Sequence, residues 1–197
     1  MDDQQQTTAF EFEPKRFFDS FLVVGKQLLV RPQEFFRHLP CNGSLKNPIS
    51  FLAACAFLMA LLVANFYKGD YRLFCMLFFA GIASSLIHGG VLHVLVSKVF
   101  KSKAPFGATI RLISYASFPD IVSWVPVIGF FPKIYGLYLL YLGLKEQHHL
   151  NHTQSVLTVI ILIGILFVLV LAIMLASPGS FSQALQLLDP QRAEQSL

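Results

Sequence analysis

Charge is scarce in this chain. Only 13% of its 197 residues are Asp, Glu, Lys or Arg, about half the share found in soluble domains. With 55% hydrophobic residues and a mean hydropathy of +0.61, that shortage excludes an ordinary soluble globule and implies a chain dissolved in lipid. Cysteine is scarce as well. Cys41, Cys55 and Cys75 form an odd set with no CxxC pair, which excludes a disulfide framework. They read as small apolar side chains. No GxSxG, HExxH or Walker-type loop occurs, so no enzyme activity, catalytic residue or cofactor is expected. The net charge of +4 sits on short loops rather than on a basic soluble domain, which argues against a nucleic-acid partner. The opening MDDQQQTTAFEFE has no basic stretch leading into an apolar core. No cleavable signal peptide is expected, and the first span would serve as the insertion signal.

What is present is a series of long apolar runs. They predict an all-α polytopic membrane protein with five transmembrane helices, at about 50–67, 73–96, 108–125, 127–145 and 155–176. Eighteen residues of helix reach ~27 Å, just enough for the hydrocarbon core. Residues 1–14 are polar and expected to be disordered. Residues 15–49 are expected to form amphipathic helices. Phe17, Phe18, Phe21, Leu22, Leu28 and Leu29 recur at helical spacing among Lys15, Arg16, Lys26, Arg31 and Arg37. Such a segment lies on the membrane surface or packs on the protein itself; periodicity does not separate the two. Residues 177–197 form a polar tail with an amphipathic patch at Phe181, Leu185 and Leu188.

The stretch Ile110–Lys145 organises the whole. Between Arg111 and Lys133 its only charge is Asp120, yet Pro119, Pro126 and Pro132 interrupt it. Each proline removes a backbone donor and disfavours a smooth helix. Freed backbone groups in lipid must find partners in the protein, so this stretch should bend and lie against other spans. It divides into two helices of about 18 residues, joined near Pro126–Pro132. Gly81 and Gly89 in the second span, and Gly136 and Gly143 in the fourth, are candidate helix-packing positions.

Orientation follows from Lys and Arg. With the N-terminus in the cytoplasm, residues 1–49, 97–111 and 145–154 are inside and carry six, four and one basic residues; the outer segments carry four. This predicts a multi-pass protein with its N-terminus cytoplasmic and its C-terminus outside.

Asp120 is the sharpest chemical candidate, because an ionisable group inside a span is expensive and signals function. His88, Ser84, Ser85 and Tyr115 are candidates to form an intramembrane polar site with it. The competing reading, favoured on the sequence, is a helix restart, in which Pro119 opens a new helix and the Asp120 carboxylate satisfies nearby amides. His148, His149 and His152 form an HHxxH set that could hold a metal ion on one helix face, although solvated histidines are the commoner reading. Trp124 fits an interfacial anchor.

The run RPQEFFRHLP, then YASFP, PVIG and IYGLYLLYLGLKEQH, resembles the Yip family of small polytopic membrane proteins over roughly Arg31 to Ala176. The resemblance implies a helical membrane domain with a cytoplasmic N-terminus. Eukaryotic members act in traffic between endoplasmic reticulum and Golgi, with Rab GTPases and with one another. This chain lacks their Asp-Leu-Tyr-Gly-Pro motif, and Ser114 precedes Tyr115 where they carry Gly-Tyr. Its short N-terminus and tight loops are more similar to a prokaryotic member, which implies a bacterial cytoplasmic (inner) membrane. The expected function is a non-enzymatic membrane organiser or adaptor. Its partners would be the lipid bilayer and itself or another membrane protein. The alternative is a small transporter or lipid-handling protein built around Asp120 and His88.

Overall fold

A computed structural model describes residues 11–67 and 69–176. The polar start before residue 11, Lys68, and the tail with its expected patch at Phe181, Leu185 and Leu188 lie outside the described residues. Within them every regular element is helical: α1 (Phe17–Val30), α2 (Pro32–His38), α3 (Lys46–Phe66), α4 (Tyr71–Lys98), α5 (Phe106–Ala116), α6 (Phe130–Gln147) and α7 (His152–Ala176). Short 3₁₀ turns at Pro14–Arg16 and Phe118–Val122 complete the set.

Among the described residues three helices are long and apolar enough to cross a membrane: α3, α4 and, over His152–Ala172, α7. The start of α4 has a local cause. Asp70 caps it, its carboxylate accepting from the amide of Arg72 at 2.8 Å, which satisfies one of the orphan donors of a helix start. Gly69 precedes it at φ +74°, a left-handed conformation that glycine takes without steric cost.

The expected third span is not a continuous helix over 108–125. The α-helix stops at Ala116, because the ring of Pro119 collides with the carbonyl of the residue four earlier and offers no amide in return. At 11 residues α5 reaches only ~16 Å. The chain then takes one 3₁₀ turn and folds back into α6, 18 residues long. Gly129 permits the fold-back: a Cβ there would stand 2.1 Å from the Ser123 carbonyl oxygen.

The chain divides into two compact units, residues 1–159 and 160–197. In the first, α5 packs against α3, α4 and α6, and α2 lies along α6. Its core is aromatic. Phe51 of α3 is the hub, with Phe12, Phe21 and Tyr115 at centroid distances of 5.5, 5.2 and 5.0 Å. The N-terminal segment is part of that core rather than an appendage. Phe12, Val24, Leu28, Phe35, Phe36 and Leu39 are six of the eleven buried residues in the central cluster. The other face of α1 stays open: Phe18 is 80% exposed and Leu22 71%. α1 is therefore closed on the protein along one face, while the open face mixes these apolar side chains with the exposed charges Asp19 and Lys26. The described part of the second unit is the remainder of α7, an uncharged apolar run.

Each of the four candidate packing glycines has a neighbour within the subunit. A Cβ on Gly81 would meet Ala56 Cβ at 3.6 Å, on Gly89 Ile110 Cδ1 at 3.0 Å, on Gly136 the Ala116 oxygen at 3.6 Å, and on Gly143 Leu112 Cδ1 at 2.5 Å.

Candidate functional site

Where the fold-back leaves α5, a polar recess of about 160 Å³ opens between α3, α4 and the start of α6. Ser84, Ser85, Ser117, Asp120, Ser123 and Lys133 line it together with apolar residues of α3. The hydroxyls of Ser84, Ser117 and Ser123 donate to the carbonyls of Gly81, Ser114 and Asp120 at 3.0, 2.7 and 3.0 Å. With their protons used on their own backbone, these hydroxyls offer the recess acceptor lone pairs. Lys133 Nζ donates to Asp120 Oδ1 at 2.6 Å. The recess has room for several waters or a small hydrated solute.

Ser84, Ser85 and Asp120 are thus brought together. His88 lies one helical turn along α4 and does not line the recess. Tyr115 is fully buried in the aromatic core, where its hydroxyl accepts from the Phe12 amide at 3.2 Å. Pro119 does lie at the start of a short 3₁₀ helix, Phe118–Val122, with Asp120 in its first turn, and the partner of the carboxylate is Lys133. Lys133 stands thirteen residues beyond Asp120, in the first turn of α6. A turn of seven residues, with Val127 at φ +66°, separates the 3₁₀ turn from α6 and reverses the chain. Spacing along a helix does not foresee the pairing.

A second polar assembly lies at the opposite end of α5. Arg111 is buried; its Nε donates to Glu11 at 3.2 Å and its Nη2 to the Ser44 carbonyl at 2.7 Å. Gln147 Nε2 donates to the carbonyls of Phe36 and Leu39 at 2.7 and 2.9 Å. Glu146 accepts from Gln33 at 2.8 Å and Arg37 at 3.4 Å. Burial alone would raise its pKa, but these donors outweigh it and hold the carboxyl below its ordinary range. Thr109 Oγ1 sits between His93 Nδ1 at 3.0 Å and His148 Nε2 at 3.2 Å, and His148 Nδ1 meets Ser102 Oγ at 3.0 Å. The network joins α4, α5 and the end of α6. Burial, with His93 and His149 nearby, pushes the His148 pKa down to about 4.

The three histidines of HHxxH do not converge. His148 turns inward to Ser102 and Thr109, while His152 Nδ1 meets the Tyr141 hydroxyl at 2.8 Å. His149 is exposed. Among the described residues no three His, Cys, Asp or Glu side chains are grouped as a metal ion requires.

Long apolar helices around a broken, proline-interrupted segment define an integral membrane protein. The Yip1 domain family matches residues 26–174 of the chain. The protein belongs to the Yip1 domain family. Nothing among the curated proteins and nothing among the solved structures matches it.

Proposed function

We propose that this protein is a non-enzymatic membrane organiser or adaptor, threaded through a bacterial inner membrane in five spans, with its N-terminus cytoplasmic and its C-terminus outside. The carrying observation is α1. Val24 and Leu28 lock its inner face into the core, while Phe18, Leu22, Leu29 and Val30 stand out from the protein. Phe18, Leu22 and Leu29 make an exposed apolar ridge, with Asp19 and Lys26 beside it; an amphipathic surface of that kind on a fixed helix suits the membrane interface or a partner's apolar surface. Self-association would use this ridge, since the four glycines described above already face their own subunit.

Photo-crosslinking from position 22 in native membranes, followed by mass spectrometry, tests the reading. Crosslinks to a second copy or to one membrane protein are expected. A crosslinking pattern unchanged when the probe is moved to the buried position 24 speaks against it.

The Asp120 recess favours a second reading, a small transporter. A broken helix beside a polar recess is how many transporters build a site. A proteoliposome flux assay at two pH values separates the two. Flux abolished by Asp120→Asn would overturn the adaptor reading.

A further inference from the structure

A cavity of about 510 Å³ lies between the loop after α4 and the loop after α6. Lys101, Lys103, His148, His149, Ser102 and Gln147 line it, and among the described residues none that lines it is acidic. Two further observations set it apart from an ordinary basic loop. Lys101 and His149 both have φ +53°. Non-glycine residues rarely adopt the left-handed region, and such conformations concentrate at ligand sites. Two of the three among the described residues meet at this one cavity. Gln147, 2% exposed, keeps its Oε1 buried with no partner, although a buried acceptor is normally satisfied.

We propose that this cavity is a binding site for a phosphate-class anion, carried by a lipid headgroup or free in solution. The two ammonium groups and the exposed imidazole supply charge and donors for the phosphate oxygens. Gln147 belongs to the buried wall behind them. The position fits the lipid source. At 28 residues, α4 reaches ~42 Å, the full thickness of a bilayer with its headgroups. The loop after Lys98 therefore stands at headgroup level whichever way the chain is threaded. This inference is independent of the adaptor reading, since a phosphate site is compatible with either function.

The test uses the full chain purified in detergent. Native mass spectrometry reads bound lipid after exchange with phosphatidylglycerol or with phosphatidylcholine, and thermal shift reads inorganic phosphate and glycerol 1-phosphate. Parent protein should retain phosphatidylglycerol, and the Lys101→Gln/Lys103→Gln variant should retain at least fivefold less. Lys98→Gln, which leaves the cavity lining untouched, should behave as the parent. A thermal shift with glycerol 1-phosphate, lost in the double variant and unaccompanied by retained lipid, would support the site and assign it a soluble ligand. Equal retention by parent and double variant, equal loss with Lys98→Gln, or no response to any of the four probes would overturn the proposal. Both lysines are exposed, so the double variant should fold; an unchanged melting temperature without ligand checks this.

Discussion

The Lys133 ammonium donates to the Asp120 carboxylate across 2.6 Å, thirteen residues along the chain and on the other side of the fold-back. Asp120 is therefore half of an ion pair that bridges the bend between α5 and α6. Its side chain is 45% exposed and that of Lys133 60%, so water or lipid reaches both.

For so open a pair the coupling should be small, about 0.5–1 kcal/mol. We expect Lys133→Ala to lower the melting temperature in detergent more than the double variant Asp120→Asn/Lys133→Ala does, because it leaves a lone carboxylate. Strictly additive effects in a double-mutant cycle would mean that the pair does not hold the bend.

Arg111 should tolerate no replacement. It is 1% exposed and bonds in two directions, to Glu11 and to the Ser44 carbonyl. Arg111→Ala strands Glu11 and should cost about 3 kcal/mol. Arg111→Lys should recover only part of it, since an ammonium lacks the forked geometry. Thermal unfolding in detergent measures both; a lysine variant as stable as the parent would count against this account.

Gly143 and Gly136 share a face of α6 but should respond differently. A Cβ at 143 would press on Leu112, itself fully buried, whereas at 136 it would make ordinary contact. Gly143→Ala should destabilise by about 1–3 kcal/mol, as overpacking does. Gly136→Ala should be near neutral. Equal melting temperatures for the two variants would contradict the packing described.

Stability should fall in mild acid through His148. Its pKa of about 4 in the fold lies below the ~6.5 of an unfolded histidine. Between those values the unfolded chain binds more protons, so stability rises with pH across the window and is complete above it. At pH 5 the deficit against pH 7.5 should be about 2 kcal/mol. His148→Gln should flatten the slope between pH 4 and 6.5. A slope unchanged by that substitution would locate the titration elsewhere.

Much of the architecture was legible along the chain. Hydropathy picks out α3, α4 and α7, and Pro119 stops α5, because both act within a turn or two of their own position. The early end of α5 was less legible: the apolar pattern carries a helix through to about 125, whereas it stops at Ala116, and the chain crosses the rest as a 3₁₀ turn and a loop that Gly129 and Val127 allow. For the site, Ser84, Ser85 and Asp120 could be named from their depth in apolar runs. Tyr115 could not be assigned to the core, since nothing local announces that the Phe12 amide will take its hydroxyl.

The sequence by itself determined that this is a helical membrane protein and roughly where its long apolar helices run, because transfer to lipid and backbone sterics depend on residue type and near neighbours. Only the tertiary structure decided that α1 belongs to the core, that Asp120 meets Lys133, and that His93, Thr109 and His148 form one network. Each of those joins groups distant in the chain. An apolar or polar pattern states which face needs a partner; only the packed fold supplies it.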